Sequence, residues 1–230
     1  MKLRLLLVLA LSARVLAGDT NSLVRTAELV RAGSVVTLPG LTVHGGDKKF
    51  VEATGKISLA DGEILEFVAV EAKGRDYESL LTLDSRPSTM QFALLLIGCE
   101  PGARPHATKP GEKTGTPLTI EIEWQRNGQT HRMPVETLLL DRRTKTSLKN
   151  MPWIFTGSYF TKSVVDGRQI FQSDEEQAFL ALWWSPSIII NPDSEFGNPY
   201  RGEEQGFAVN SKAVPPKDTP IKLILRARTP

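Results

Sequence analysis

Residues 118–128 read Leu118-Thr119-Ile120-Glu121-Ile122-Glu123-Trp124-Gln125-Arg126-Asn127-Gly128. Leu118, Ile120, Ile122 and Trp124 alternate with Thr119, Glu121, Glu123 and Gln125, the period of a strand with one buried and one wet face. Asn127-Gly128 then predicts a two-residue type I′ turn, whose two central residues need positive φ and whose twist matches the flanking strands. The same signal recurs at Asp61-Gly62, between the alternating run 51–59 and the apolar run 64–70. It recurs again at Asp166-Gly167, between 153–165 and 168–171. Further strands are expected at Val35–Leu38, Leu80–Leu83, Ala178–Trp184 and Ile221–Ala227.

One segment has helical character. Ser88-Thr89-Met90-Gln91 fits a capping box, Phe92–Ile97 is apolar nearly all round, and Gly98 suits the left-handed residue that ends a helix. A helix apolar on every side must be buried. Pro134–Leu140 predicts a second, short helix with Pro134 first. The expected fold class is α+β: a mainly antiparallel β-sheet with three two-residue hairpins and one buried central helix. Residues 100–117 and 191–220 are rich in proline and glycine and read as long surface loops within one domain.

The N-terminus reads as an export signal. Lys2 and Arg4 precede seven apolar residues, Leu5–Leu11, and Val15-Leu16-Ala17 suits cleavage after Ala17. The apolar run is too short for a permanent membrane span, which needs about 20 residues. The expected organisation is a signal peptide at 1–17, an N-terminal extension at 18–45 and one domain at 46–230, in a periplasmic or secreted protein. Lys2, Arg4 and Arg14 account for three of the 28 cations and none of the 26 acids, so the exported chain carries 25 against 26, a net charge of −1. The calculated pI of 8.7 therefore belongs largely to the discarded segment, and nucleic acid is not expected as a partner. The single cysteine excludes an intramolecular disulfide framework, a Cys-only zinc site and an iron–sulfur cluster. No cofactor or metal is expected.

Tyr77-Glu78-Ser79-Leu80-Leu81, Asp84-Ser85-Arg86-Pro87-Ser88, Ala93–Gly98 and Pro101-Gly102, followed by Trp153–Ser158 and the closing 215–225 stretch, resemble the YdjY domain family over roughly residues 45–228. The resemblance implies an exported bacterial domain and supplies no biochemical role. In that family's pattern a histidine often precedes the Glu-Ser pair and often appears in the early helix. Here Tyr77 and Gln91 hold those places, which weakens any metal or acid–base reading carried by those histidines.

Five residues are candidate binding groups. Glu78, Ser79 and Arg86 enter the buried helix from a strand and a turn; they form either an anion-binding carboxylate–guanidinium group or a structural cap. Trp184 and Tyr200 are the aromatic candidates, in or beside the long loop. No Gly-x-Ser-x-Gly elbow is present, and no catalytic residue is assigned. Asn191-Pro192-Asp193-Ser194-Glu195 spaces oxygen donors as calcium loops do, with the glycine and position twelve out of place, and reads as a solvated polar loop. Cys99 reads as a packed, inert thiol. The function expected is a non-enzymatic binding or structural module of the cell envelope, with an unknown envelope or extracellular partner. The alternative is a hydrolase-type enzyme using Glu78 with a histidine brought near by folding.

Overall fold

A computed structural model describes residues 20–194, 198–201 and 205–228. The export segment at 1–17 lies outside the described residues, as does Glu195 of the calcium-like stretch. Fifteen strands are present among the described residues. In chain order they are β1 (Val35–Leu38), β2 (Leu41–His44), β3 (Phe50–Ile57), β4 (Phe67–Glu71), β5 (Ser79–Leu83), β6 (Thr116–Arg126), β7 (Gln129–Pro134) and β8 (Leu139–Asp141). They continue as β9 (Trp153–Phe155), β10 (Phe160–Lys162), β11 (Gln169–Phe171), β12 (Ala178–Ala181), β13 (Ile190–Pro192), β14 (Phe207–Val209) and β15 (Pro220–Ala227). Helices α1 (Thr20–Arg31), α2 (Pro87–Leu96) and α3 (Gln172–Glu175) accompany them, with short three-ten turns at Asp76–Glu78, Pro105–Ala107, Val135–Leu138 and Pro199–Arg201.

The main sheet closes on itself. Its neighbours run β3, β15, β6, β9, β13, β12, β4, β5, and β5 pairs back to β3. Eight strands form a closed barrel, and the pairings β4–β5 and β12–β13 are parallel. The architecture is therefore a mostly-β, mixed closed barrel, which corrects the mainly antiparallel sheet expected from the sequence. Alternation and turn chemistry report on one strand and its next neighbour. Closure instead rests on pairings between strands far apart in the chain, β3 with β15, β15 with β6 and β4 with β12, and on the pairing of β3 with β5. The parallel pairs join consecutive strands through segments that cross back rather than through hairpin turns. At the seam Gly55 faces Leu83, and a Cβ on Gly55 would lie 2.1 Å from the Thr82 carbonyl oxygen. Only glycine lets the two backbones approach this closely.

Of the three expected two-residue hairpins, one forms. Arg126 pairs with Gln129, and Asn127 and Gly128 sit at φ 52° and 73°. Asp61-Gly62 makes no hairpin, because β3 ends at Ile57 and β4 begins at Phe67. The loop between them is drawn to β14 instead: the Val209 N–H donates to the Gly62 carbonyl and the Leu65 N–H to that of Phe207. Asp166-Gly167 lies in a real β10–β11 hairpin with a longer loop: Lys162 pairs with Gln169, and of the two turn residues only Gly167 takes positive φ. Within that loop the Ser163 hydroxyl accepts from the Asp166 N–H, fixing the wider turn.

All ten residues of α2 are buried, as its composition demands. It packs on β2, β3, β12, α1 and α3 rather than between antiparallel ribbons. The expected capping box is absent. Pro87 occupies the first turn, and the N–H and hydroxyl of Ser88 both donate to Asp174. Gln91 accepts from the Ser158 N–H. A buried helix start needs its orphan donors satisfied, and here Asp174 of the distant helix α3 does so. Gly98, at φ 93°, ends the helix as expected: its N–H reaches Leu95 and that of Cys99 reaches Leu94, the paired bonds of a Schellman motif.

The stretch read as an N-terminal extension contributes α1, whose Leu23, Ala27 and Val30 join the core at helical spacing, and the β1–β2 hairpin, which pairs onto β3. The expected helix after Pro134 is a three-ten turn at 135–138 that leads directly into β8. No helix among the described residues is long and apolar enough to cross a membrane.

Candidate functional site

The loop before β4 ends in Glu66, immediately ahead of the apolar residues 67–70, with its side chain 7% exposed. Its backbone is fixed from both sides: its N–H donates to the Glu78 carbonyl and its carbonyl accepts from the Leu182 N–H. A buried carboxylate needs partners, and three elements supply them. Tyr200, from the turn at 199–201, donates its phenolic O–H to Oε1. Arg75, just ahead of the 76–78 turn, brings Nη1 to 3.7 Å from Oε2 and lies 4.3 Å over the Phe67 ring. The same guanidinium contacts Glu78 at 3.5 Å and donates to Glu176 at 2.9 Å. One cation thus serves three carboxylates. The Tyr200 ring is 75% exposed and meets Trp183 edge-on at 6.3 Å.

The electrostatics follow from this crowding. Burial, and then the negative charge of Glu66, hold the Glu78 carboxyl above its usual range, with Arg75 opposing. The hydrogen bond to Glu66, with that carboxylate's charge, raises the Tyr200 phenol.

The five candidates separate. Glu78 and Tyr200 meet at Glu66. Ser79, directly after Glu78, is fully buried and its hydroxyl donates to the Leu81 carbonyl within the same strand. Arg86 does not pair with Glu78; its Nη2 lies 3.1 Å from Asp174, and its side chain is 59% exposed. Trp184 lies elsewhere, beneath the Arg104 guanidinium at 4.2 Å. The same loop holds a pair that sequence reasoning missed, His106 on Asp193. The other two histidines stack on aromatic rings, His44 on Phe50 and His131 on Trp124. None of the three is hydrogen-bonded to Glu78.

Two further groups resolve clearly. Asn191 is buried: its side-chain oxygen accepts from the Ser185 N–H and its amide donates to Thr156 and Ile188, so this member of the calcium-like spacing faces inward rather than lying in a solvated loop. Cys99 is buried and its thiol is pushed up to about 12, the state of a non-nucleophilic sulfur. Among the described residues no group of three or more His, Cys, Asp or Glu side chains is placed to hold a metal ion.

Glu66 and Arg75 were also missed as candidates. A lone acid inside the apolar run 64–70 was the available signal for Glu66, since an ionised group is rarely buried without partners. Compared with known proteins, the chain matches the family model of the YdjY domain over residues 45–226. No curated protein and no solved structure matches it.

Proposed function

We propose, from the premise that the chain belongs to the YdjY domain family, that it is an exported, non-enzymatic binding module of the cell envelope. The observation that carries the binding part is the convergence of Tyr200 and Arg75 on Glu66, with Glu78 alongside. This puts an exposed aromatic ring beside carboxylates that outnumber their cation, and such a face suits a ligand presenting a cationic group. Loops held by a rigid sheet are where binding residues concentrate. The export part rests on Lys2, Arg4, the apolar run 5–11 and the small residue Ala17.

Two measurements test the reading. N-terminal sequencing of the protein from the producing cell is expected to start at Gly18; an intact Met1 in a cytoplasmic fraction overturns export. Co-sedimentation with purified sacculi and with envelope vesicles is expected to retain the protein on one of them and to weaken on Tyr200→Ala or Glu78→Gln. Retention on neither overturns the envelope-binding role.

A further inference from the structure

The β10–β11 hairpin is a two-stranded sheet not hydrogen-bonded into the barrel, held to the core through Phe171 and Phe160. A groove of about 230 Å³ runs beside it, lined by the ribbon residues Phe160, Arg168, Gln169, Ile170 and Phe171 together with Arg86 and Glu175. The register places Phe160 and Phe171 on one face of the ribbon and Ile170 on the other. Among the described residues β11 pairs with β10 alone. The bonds from the Ser163 N–H to Arg168 and from the Gln172 N–H to Tyr159 bracket the ladder. Antiparallel pairs alternate between bonded and non-bonded, so Gln169 and Phe171 turn their N–H groups away from β10, toward the outer edge. An edge of this kind is a template for another extended chain.

We infer that this groove receives an extended peptide segment that ends in a carboxylate, added along the outer edge of β11. Main-chain hydrogen bonds to Gln169 and Phe171 hold its backbone, as in strand addition. An apolar side chain of the segment packs on the face that carries Phe160 and Phe171, and the next one along lies on the face that carries Ile170. The carboxylate lies toward Arg86 and Arg168, whose side chains are 59% and 73% exposed. Each contacts one aspartate through one nitrogen, Arg86 through Nη2 to Asp174 and Arg168 through Nε to Asp166 at 3.4 Å. A guanidinium carries five N–H donors, so both retain donors for a second carboxylate. The Asp174 carboxylate is occupied by Ser88 and Arg86. An anionic bilayer fits less well, because it supplies no extended backbone to pair with the outward N–H groups of Gln169 and Phe171. The inference concerns a surface other than the Glu66 face and does not depend on it.

The test is fluorescence anisotropy with a fluorescein-labelled peptide, Gly-Thr-Val-Thr-Leu with a free C-terminal carboxylate. Saturable binding is expected. Amidating the C-terminus, or N-methylating the central valine, should each weaken it by about tenfold or more. Arg168→Ala should do the same; Arg86→Lys should bind more tightly than Arg86→Ala, both checked for folding by circular dichroism. The inference is overturned if the peptide does not bind, if acid, amide and N-methyl forms bind alike, if Arg168→Ala binds normally, or if the protein takes up only phosphatidylglycerol vesicles.

Discussion

Tyr200 donates its phenolic O–H to the carboxylate of Glu66, 134 residues earlier in the chain. The bond ties an exposed residue of the 199–201 turn to a buried acid immediately before β4, and it reads out in the titration of the phenol. A phenol that donates to a carboxylate gives up its proton reluctantly, since ionisation loses the bond and sets two negative charges together. Tyr200 is one of three tyrosines. In an ultraviolet titration its share of the tyrosinate absorbance is expected above the ordinary value of 10. That share disappears in Tyr200→Phe and moves down in Glu66→Gln. An unchanged high-pH step in Glu66→Gln would separate the two residues.

The barrel seam leaves no room for a side chain at Gly55. Gly55→Ala would set a methyl 2.1 Å from the Thr82 carbonyl oxygen, against backbone that cannot rotate away. Overpacking of this kind costs about 3 kcal/mol, and partial opening of the β3–β5 pairing is the expected response. Gly128→Ala is the control: its φ is 73°, nothing lies within 4 Å of the added carbon, and only the turn conformation is penalised, by about 1 kcal/mol. Urea unfolding of the two variants measures the difference; equal losses would mean that the seam relaxes freely.

What was legible in the sequence is what depends on near neighbours. The alternation at 118–125 and the Asn127-Gly128 turn gave one hairpin in register, and Phe92–Gly98 gave a buried helix with its glycine stop. Asp61-Gly62 misled because its backbone groups find partners on β14, more than 140 residues later. Ser88 misled because a capping serine and a serine that bonds a distant aspartate look alike in sequence. Leu23, Ala27 and Val30 did carry a helical period, in a segment otherwise so polar that it read as an extension. Within the candidate site, Glu78 and Tyr200 were legible as chemistry-bearing residues. Their shared partner Glu66 was not, since it joins them only once the barrel closes.

Asn191 joins the ends of several loops through one amide. Its oxygen accepts from the Ser185 N–H at 2.8 Å, and its nitrogen donates to Thr156 Oγ1 at 2.8 Å and to the Ile188 carbonyl at 2.9 Å. Asn191→Ala leaves these groups buried and unpaired, a cost of about 2–4 kcal/mol in the urea midpoint. Asn191→Asp keeps the shape but sets a carboxylate oxygen against the Ile188 carbonyl. Its deficit is therefore expected to be larger at pH 7 than at pH 4, where the acid can be protonated and donate. A deficit independent of pH would mean that water had entered the site.

Glu78 gives the opposite kind of variant, one that stabilises. Its carboxyl is partly buried beside Glu66, and these two effects outweigh Arg75, so it titrates above its ordinary 4.5. A carboxyl raised in this way holds its proton more tightly in the folded chain than in the unfolded one. The ionised form therefore opposes folding above the folded pKa, and the penalty is withdrawn as pH falls through that value toward 4.5. Glu78→Gln removes the charge and keeps the size. Calorimetry at a series of pH values should find it melting higher than the parent at pH 7, with the gap closing on acidification. Were the Arg75 ion pair the dominant effect, the glutamine variant would melt lower at pH 7, and the gap would change sign.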